Sequence, residues 1–224
     1  MKILIVAATE KEISPLLSEL KYQYELGKNL KRFLHKSTNV DVLITGVGMV
    51  PTAYWLGKTL AENQYNYAIN LGIAGSFIPE LPIGSLVDVR EDILAELGAE
   101  DGSQFIPFNS LDLEKDEFLG DGFFTNLSPL DPPSVTTLQK VRGITVNTVH
   151  GNEASIAKVY SRLKPMVETM EGAAFLYACS TADLQCLQIR AISNRVERRN
   201  KASWNIPLAL ENLNSFALQL LNEL

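Results

Sequence analysis

The sequence predicts an α/β fold in which helices cover both faces of a central mixed β-sheet, a three-layer α/β/α arrangement. Short apolar runs such as "ILIVAA" and "YAINLGIAG" have the length and composition of buried strands. Between them, apolar residues recur at helical spacing, most clearly in "IPLALENLNSFALQLLNEL" at the end of the chain. Strands that alternate with helices are typical of α/β proteins. The length of 224 residues suits a single domain over residues 1–224.

The first half of the chain supplies these elements in a regular order. The strand at residues 3–8 runs into a short helix, "EKEISPLLSEL". "KRFLHKS" and "VDVLITG" are predicted to pair as strands, and a helix follows over residues 50–63. "YAINLGIAG" and "GSLVDVRED" then continue the sheet.

Residues 98–135 change character, because turn-forming residues interrupt any periodic pattern. The aromatic content of the segment nevertheless favours an excursion packed on the domain over a disordered linker. Its phenylalanines are Phe105, Phe108, Phe118, Phe123 and Phe124. After this excursion, the sheet is completed by the predicted strands "GITVNTV" and "QCLQIRAIS". Helices begin near Asn152 and within "VETMEGAA", residues 167–174.

The composition excludes several classes of function. A formal net charge of −6 does not provide the positive surface that nucleic-acid binding requires. The apolar run at the N-terminus is too short for a membrane span or a signal peptide, so we expect a cytoplasmic protein with no membrane partner. Cys179 and Cys186 are expected to be buried, reduced thiols. No metal-ligand spacing is present, and we expect neither a metal nor an organic cofactor.

Two glycine-rich stretches follow predicted strands. "TGVGMVP", residues 45–51, opens a helix, but Pro51 stands where a dinucleotide-binding motif has its third glycine. We therefore interpret it as a tight strand-to-helix connection. "NLGIAGS", residues 70–76, puts Gly72 and Gly75 at the carboxyl end of a strand, where ligands gather in open α/β sheets. These glycines either admit a ligand to the backbone or only relieve crowding.

Several charged residues occupy apolar surroundings. Glu12 follows the first strand and is either an acid/base or an ordinary charge at a helix N-terminus. Glu171 begins an apolar helix, and its carboxylate would be satisfied by two ribose hydroxyls or by an ion pair with Arg190. Arg190 lies inside an apolar strand and needs a partner of its own. His150 has no carboxylate near it in the sequence and is expected to be structural.

Five stretches, in one order along nearly the whole chain, carry a resemblance to known proteins. They are "MKILIVAATEKE", "TGVG", "NLGIAGS" with "IGSLVDV", residues 167–174, and "RAISN". In this order they resemble the nucleoside phosphorylase/nucleosidase superfamily, especially its small nucleosidases that hydrolyse methylthioadenosine and adenosylhomocysteine. Finer features, among them "ELGAEDG", "TVNTVHG", "TMEGAAF" and "RAISNRVERRNKASW", look most similar to the futalosine hydrolases, which are nucleosidases of the alternative menaquinone pathway.

The resemblance implies roles for individual residues. Glu12 corresponds to the acid/base that activates the attacking water, and Arg190 to an arginine near that water. Glu171 corresponds to the residue that holds the ribose hydroxyls, and Met170 to the side chain packed against the sugar. Asn194 falls where methylthioadenosine nucleosidases carry an aspartate that faces N7 of the purine.

Further positions complete the implied binding site. Gly75, Val149 and Ser193 are expected among the substrate-binding residues. Ile73 falls where the methylthioadenosine nucleosidases often have a serine near the water, so this part of the water site departs from the family pattern. The resemblance also implies a purine nucleoside as the partner and a homo-oligomeric assembly.

The amide of Asn194 favours a 6-oxopurine on hydrogen-bonding grounds. Its NH2 group can donate to O6, and its carbonyl can accept from a protonated N7. A 6-aminopurine would set amine against amine and leave buried donors unpaired, at a cost of roughly 1–3 kcal/mol. Hypoxanthine, the base of futalosine, is a 6-oxopurine.

The resulting prediction is a nucleosidase that hydrolyses futalosine to hypoxanthine and dehypoxanthine futalosine. Water is the expected nucleophile, because "ATEKEIS" places acid where related phosphorylases have arginine. The alternatives are a methylthioadenosine/adenosylhomocysteine nucleosidase, a purine nucleoside phosphorylase, and a nucleoside-binding domain without catalysis. For the carboxylated aromatic tail of futalosine, the phenylalanine-rich segment and the pair Arg198 and Arg199 are both candidates.

Overall fold

A computed structural model of the chain describes residues 1–113, 117, 119–126 and 129–224. The strands within these residues are β1 Lys2–Ala7, β2 Lys21–Gly27, β3 Leu30–His35, β4 Thr38–Ile44, β5 Tyr67–Ser76, β6 Leu86–Leu94, β7 Gly98–Asp101, β8 Gln104–Pro107, β9 Phe123–Thr125, β10 Gln139–Thr145, β11 Val167–Thr169 and β12 Cys186–Arg195. The helices are α1 Glu10–Glu19, α2 Met49–Glu62, α3 Pro133–Thr136, α4 Glu153–Leu163, α5 Gly172–Thr181 and α6 Ile206–Glu223. Single 3₁₀ turns lie at Phe108–Ser110 and Lys201–Ser203.

The main sheet is mixed, as the sequence predicts. Its strands lie in the order β11-β10-β6-β12-β5-β1-β4-β3-β2, and β9 pairs with β6. Strands β4, β1, β5 and β12 run parallel to their neighbours in this series, whereas β12 and β6 are antiparallel. Strand β11 bonds both to β10 and to β5, so part of the sheet closes on itself. The sequence did not predict this closure.

Helices cover both faces of the sheet, which confirms the three-layer arrangement. Successive side chains of β1 point to opposite faces of the sheet, so Ile3 and Ile5 pack in one core cluster and Leu4 and Val6 pack in another. The first cluster contains apolar side chains of α1 and α6, and the second contains those of α2 and α5. A strand buried on both sides reads as a continuous apolar run, which is why "ILIVAA" is recognisable as a strand.

The parallel strands β4, β1, β5 and β12 all end at the same edge of the sheet. The connections after β1 and β4 and the last residues of β5 and β12 therefore meet there. At the end of β12 the register slips, so that Ile192 pairs with Ala74 and Asn194 pairs with Gly75. Ser193 is the extra residue of this β-bulge, a feature that redirects side chains at the end of a strand.

Two phenylalanines of residues 98–135 pack on the rest of the domain, in agreement with the aromatic content of this segment. Phe124 is buried against α5. Phe105, on the β7–β8 hairpin, lies under the guanidinium of Arg162, with 3.7 Å between the Arg162 Cζ and the ring centroid. Phe118 lies outside the described residues.

Cys179 and Cys186 are buried and free, as predicted. Burial in the apolar cluster between α5 and β12 raises the pKa of the Cys179 thiol, so it remains protonated. None of the helices in the described part of the chain is long and apolar enough to cross a lipid bilayer.

Candidate active site

A cavity of about 400 Å³ opens at the edge where the parallel strands end. It brings together all the predicted site residues except Arg190. The predicted residues that line it are Glu12, Ile73, Gly75, Val149, Met170, Glu171, Ser193 and Asn194. These residues come from the first turn of α1, the ends of β5 and β12, the loop before α4, and the junction of β11 with α5.

Glu12 is held in place by the start of helix α1. Its Oε2 accepts hydrogen bonds from the backbone N–H of Thr9 at 2.9 Å and from Thr9 Oγ1 at 3.0 Å. This is a capping box, in which the third helical residue reaches back to the residue before the helix. The backbone N–H of Ile73 donates to the other oxygen, Oε1, at 3.4 Å. The carboxylate is thus fixed from two sides and faces the cavity.

Glu171 is the residue immediately before helix α5, and it is buried. The backbone N–H of Gly48 donates to its Oε1 at 2.9 Å. Burial raises the pKa of Glu171, and the charge of Arg190 and the Gly48 hydrogen bond oppose this rise. The "TGVG" turn therefore has a role beyond connecting β4 to α2, because Gly48, with φ +101°, orients its N–H toward this carboxylate.

Arg190 does not line the cavity but lies behind it, with 1% of its surface exposed. Its Nη2 donates to two amide oxygens, Asn70 Oδ1 and, at 3.1 Å, Gln188 Oε1. Among the described residues no carboxylate forms an ion pair with it, so the pair with Glu171 that the sequence allowed is not formed. Its Nε has no hydrogen-bond partner in the described part of the chain.

A second buried carboxylate stands behind Arg190. Asp92 accepts hydrogen bonds from Thr145 Oγ1 at 2.8 Å and from Gln188 Nε2 at 3.0 Å. Gln188 thus bridges Arg190 and Asp92 through the two ends of its amide. Burial raises the pKa of Asp92 to about 6, against the opposing effects of these hydrogen bonds and of the Arg190 charge.

The amide of Asn194 has a defined orientation. Its Nδ2 donates to the carbonyl oxygen of Arg195 at 2.8 Å, and its Oδ1 accepts from Ser193 Oγ at 2.8 Å. A carbonyl oxygen only accepts, so the NH2 end of the amide must face Arg195. Gly75 makes room for this side chain: a Cβ on Gly75 would stand 3.2 Å from Asn194 Nδ2.

The remaining predicted residues surround these polar groups. Met170 is half-buried beside Glu171, and Val149 lies at the rim with 40% of its surface exposed. The Ile73 side chain packs on the apolar core between the sheet and helices α1 and α6. An isoleucine has no side-chain hydroxyl with which to hold a water at this position.

One pair of residues in the cavity wall was not predicted from the sequence. His150, which was expected to be structural and without a carboxylate, lies beside the buried Glu168. The backbone N–H of His150 donates to Glu168 Oε1 at 2.9 Å, and its ring Nδ1 bonds to Glu168 Oε2. Both side chains line the same cavity as Asn194. No sequence spacing indicates this pair, because its members lie in different elements, 18 residues apart.

Cationic and aromatic side chains stand near the cavity mouth. Arg199 lines the cavity and stacks over Trp204, with 5.3 Å from its Cζ to the ring centroid. Arg198 instead lines a neighbouring cavity of about 550 Å³. None of the described phenylalanines of the 98–135 segment lines the cavity that contains Asn194. Within the described residues, no group of three or more His, Cys, Asp or Glu side chains could hold a metal ion.

Comparison with known proteins decides the family. The sequence pattern of the phosphorylase superfamily matches residues 2–222. The chain is 32% identical to futalosine hydrolase from Acidothermus cellulolyticus, over 95% of this chain and 87% of that protein. It is 31% identical to futalosine hydrolase from Thermus thermophilus, over 84% of each protein. The chain belongs to the phosphorylase superfamily and, within it, to the futalosine hydrolase family.

Solved structures of this superfamily share the fold. A methylthioadenosine/adenosylhomocysteine nucleosidase from Colwellia psychrerythraea, determined in complex with adenine, superposes with a TM-score of 0.80 at 21% identity, covering 100% of this chain and 96% of the other. The family resemblance read from the ordered motifs is thus confirmed, and so is the α/β fold that it implied. Because it belongs to the futalosine hydrolase family, the chain is an N-glycosyl hydrolase.

Proposed function

We propose that this protein hydrolyses the N-glycosidic bond of futalosine, releasing hypoxanthine and dehypoxanthine futalosine. The observation that carries the proposal is the fixed orientation of the Asn194 amide in a cavity that also contains Glu12 and Glu171. The 31–32% identity to two futalosine hydrolases supports the same substrate.

The amide presents one donor and one acceptor to the base. Arg195 O takes one of the two Nδ2 hydrogens, and Ser193 Oγ occupies one lone pair of Oδ1. The second hydrogen is available to donate to O6 of hypoxanthine, and the second lone pair is available to accept from N7–H of the leaving base. Asn194 cannot supply the N7 proton, so in this proposal the proton comes from solvent, and the proton that Glu12 takes from the attacking water later returns to solvent. The leaving purine has its N7 proton only as the glycosidic bond breaks, so the second hydrogen bond strengthens in the transition state.

The carboxylates of Glu12 and Glu171 can stabilise the positive charge that the ribose acquires during cleavage. Cleavage passes through an oxocarbenium-like ribose that carries positive charge, and nearby negative groups stabilise it. Glu171, held by Gly48, accepts hydrogen bonds from the ribose hydroxyls in this proposal. Glu12, held by Thr9 and Ile73, takes the proton from the attacking water. Arg190 acts from behind the wall, where its charge lowers the cost of holding Glu171 ionised.

Water rather than phosphate is the proposed nucleophile. The residues after β1 place Glu12 in the cavity wall and contain no arginine to bind a phosphate dianion. The exposed Lys11 is the single cation of that stretch, residues 8–14. Turnover measured with and without inorganic phosphate checks this point: the rate should not depend on phosphate. A rate that requires phosphate would make the protein a phosphorylase.

The substrate assay compares futalosine, inosine and methylthioadenosine, with free base followed by chromatography. We expect hypoxanthine from futalosine at the highest kcat/KM and little adenine from methylthioadenosine. Adenine release without hypoxanthine release would identify a methylthioadenosine nucleosidase instead. Tight nucleoside binding without release of any base would identify a binding protein.

We further propose that the protein acts in the cytoplasm as a homo-oligomer. Three apolar side chains beside the cavity mouth support an assembly: Val47, Val50 and Tyr54 have 55%, 77% and 61% of their surface exposed. Together they form a patch on and before the first turns of α2, and an oligomer would bury it. Light scattering of the purified protein should give a multiple of 24.8 kDa, and the mass of a single chain would exclude the assembly.

A further inference from the structure

The pair His150–Glu168 occupies the wall of the cavity opposite Asn194. Strand β5 lies between β11 and β12. Within these strands Glu168 pairs with Gly75, and Gly75 pairs with Asn194. Directly paired residues project to the same side of a sheet, so Glu168 and Asn194 flank Gly75 on the face that lines the cavity. Two strand spacings separate their backbones by roughly 10 Å, which leaves room for a purine over Gly75.

Glu168 sets the hydrogen-bonding role of His150. The carboxylate accepts the backbone N–H of His150 on one oxygen and bonds ring Nδ1 with the other. A carboxylate can only accept, so in the neutral imidazole the proton must lie on Nδ1. Nε2 then carries a lone pair and has no hydrogen-bond partner among the described residues. The ring is also steadied by Phe77, whose ring centroid lies 6.4 Å from that of His150 in an edge-on contact.

We propose that His150 is a second reader of the base, with Nε2 accepting the N1–H of a 6-oxopurine, and that Glu168 is the positioning residue that fixes its tautomer. Hypoxanthine carries a hydrogen on N1, whereas N1 of adenine is an acceptor and would face a lone pair. Asn194 thus reads the edge formed by O6 and N7, and His150 reads the neighbouring edge at N1. The proposal rests on the proposed function, since it takes the purine to lie against Asn194.

The decisive variant is Glu168→Gln. The backbone N–H of His150 still needs an acceptor, so the amide oxygen of the new glutamine faces that N–H. The NH2 group of the same amide then faces ring Nδ1 and donates to it. The ring proton must move to Nε2, which becomes a donor suited to N1 of a 6-aminopurine. The variant therefore reverses the role of Nε2 without changing the size of either side chain, whereas a merely structural pair would show no change in base preference.

The experiment measures kcat/KM for futalosine and for its 6-amino counterpart, in the same buffer for wild type and every variant. We define the base preference as kcat/KM for futalosine divided by kcat/KM for its 6-amino counterpart. In Glu168→Gln we expect this ratio to fall at least about tenfold, which is the effect of one mismatched buried hydrogen bond. In His150→Ala, kcat/KM for the 6-oxo substrate should fall about tenfold. The value for the 6-amino substrate should not fall, because the lone pair that would face N1 of the 6-aminopurine is removed. Thermal unfolding confirms that each variant is folded.

Glu96→Gln is the matched control. Glu96 accepts the backbone N–H of Asn147 at 3.1 Å, so it anchors the same loop as Glu168, but it does not line the cavity. This variant should keep the wild-type ratio. An equal shift in Glu96→Gln would show that loop anchoring, rather than the tautomer, sets the preference, and would overturn the proposal.

The outcomes separate this inference from the proposed function. If the wild type cleaves futalosine and folded Glu168→Gln keeps the wild-type ratio, the role of His150 is wrong and the function stands. If the wild type does not cleave futalosine, calorimetry gives the dissociation constants of free hypoxanthine and adenine. The ratio of these two constants, in wild type and in Glu168→Gln, then replaces the ratio of kcat/KM values. A wild type that binds neither base would overturn both proposals.

Discussion

Arg190 occupies the space where any side chain on Gly72 would begin. A Cβ built on Gly72 would stand 2.1 Å from Arg190 Nη1 and 3.1 Å from Glu12 Oε1. The first distance is far inside van der Waals contact, so the buried guanidinium and the catalytic candidate converge on a glycine of strand β5. Gly72 thus makes room for neighbouring side chains, whereas Gly75, the second glycine of "NLGIAGS", lines the cavity.

Gly72→Ala should therefore disturb both stability and turnover. We expect the free energy of unfolding to fall by about 1–3 kcal/mol, the usual cost of overpacking a buried site, and kcat to fall as Glu12 is displaced. Gly57→Ala is the matched control, because Gly57 lies inside helix α2 with no atom within 4 Å of a new Cβ. The control should gain roughly 0.5–1 kcal/mol in urea denaturation. A Gly72→Ala variant as stable as wild type would contradict this packing.

Glu12→Gln should remove turnover and leave the fold intact. Glutamine still completes the capping box at the start of α1, but its amide does not take a proton from water. We expect kcat for futalosine to fall by about 10²–10⁴. Glu10→Gln, in the same first turn of α1 but exposed, is the control and should keep wild-type kcat. A fully active, folded Glu12→Gln would exclude Glu12 as the base.

Arg199→Ala tests which cation receives the carboxylate of the futalosine tail. Arg199 lines the cavity beside Trp204, whereas Arg198 faces the neighbouring cavity. We expect Arg199→Ala to raise KM for futalosine roughly tenfold, as for the loss of one hydrogen bond to a charged group, and to leave KM for inosine unchanged. Arg198→Ala should change neither. An unchanged KM for futalosine in Arg199→Ala would remove this residue from the tail site.

Asp92 should make stability depend on pH. Burial raises its pKa to about 6 in the folded protein, above that of an exposed aspartate. A carboxyl group of this kind favours the folded state below the pKa of the unfolded chain, and this contribution is lost as pH rises through about 6. The free energy of unfolding of wild type minus that of Asp92→Asn should fall by on the order of 2–3 kcal/mol between about pH 4 and pH 7. The two free energies are measured by urea denaturation. A difference between wild type and Asp92→Asn that stays constant or rises with pH would contradict the raised pKa of Asp92.

The strands and helices were largely predictable because their apolar patterns are long and regular. Strand β1 is buried on both faces, and helix α6 carries its apolar residues at helical spacing, so each pattern has one interpretation. The closure of the sheet through β11 was not predictable. That strand has three residues, too few for a periodic pattern, and its two partners, β5 and β10, come from distant parts of the chain.

The site was predictable where a residue follows a strand and unpredictable where partners come from different elements. Glu12 and Asn194 reach the cavity because β1 and β12 end at one edge of the sheet. Arg190 is near the wall but behind it, since its position depends on the absence of a side chain at Gly72. The contacts of Glu168 with His150, and of Glu171 with Gly48, have no local sequence signal.

Asn194→Asp is the sharpest test of whether Asn194 selects a 6-oxopurine. The measurement is kcat/KM of wild type and variant for futalosine and for its 6-amino counterpart, which differ only in the base. A protonated aspartic acid donates one proton to N7 and accepts a hydrogen bond from the exocyclic amine, so we expect kcat/KM to shift about tenfold or more toward the 6-aminopurine. An unchanged ratio in a folded variant would contradict it.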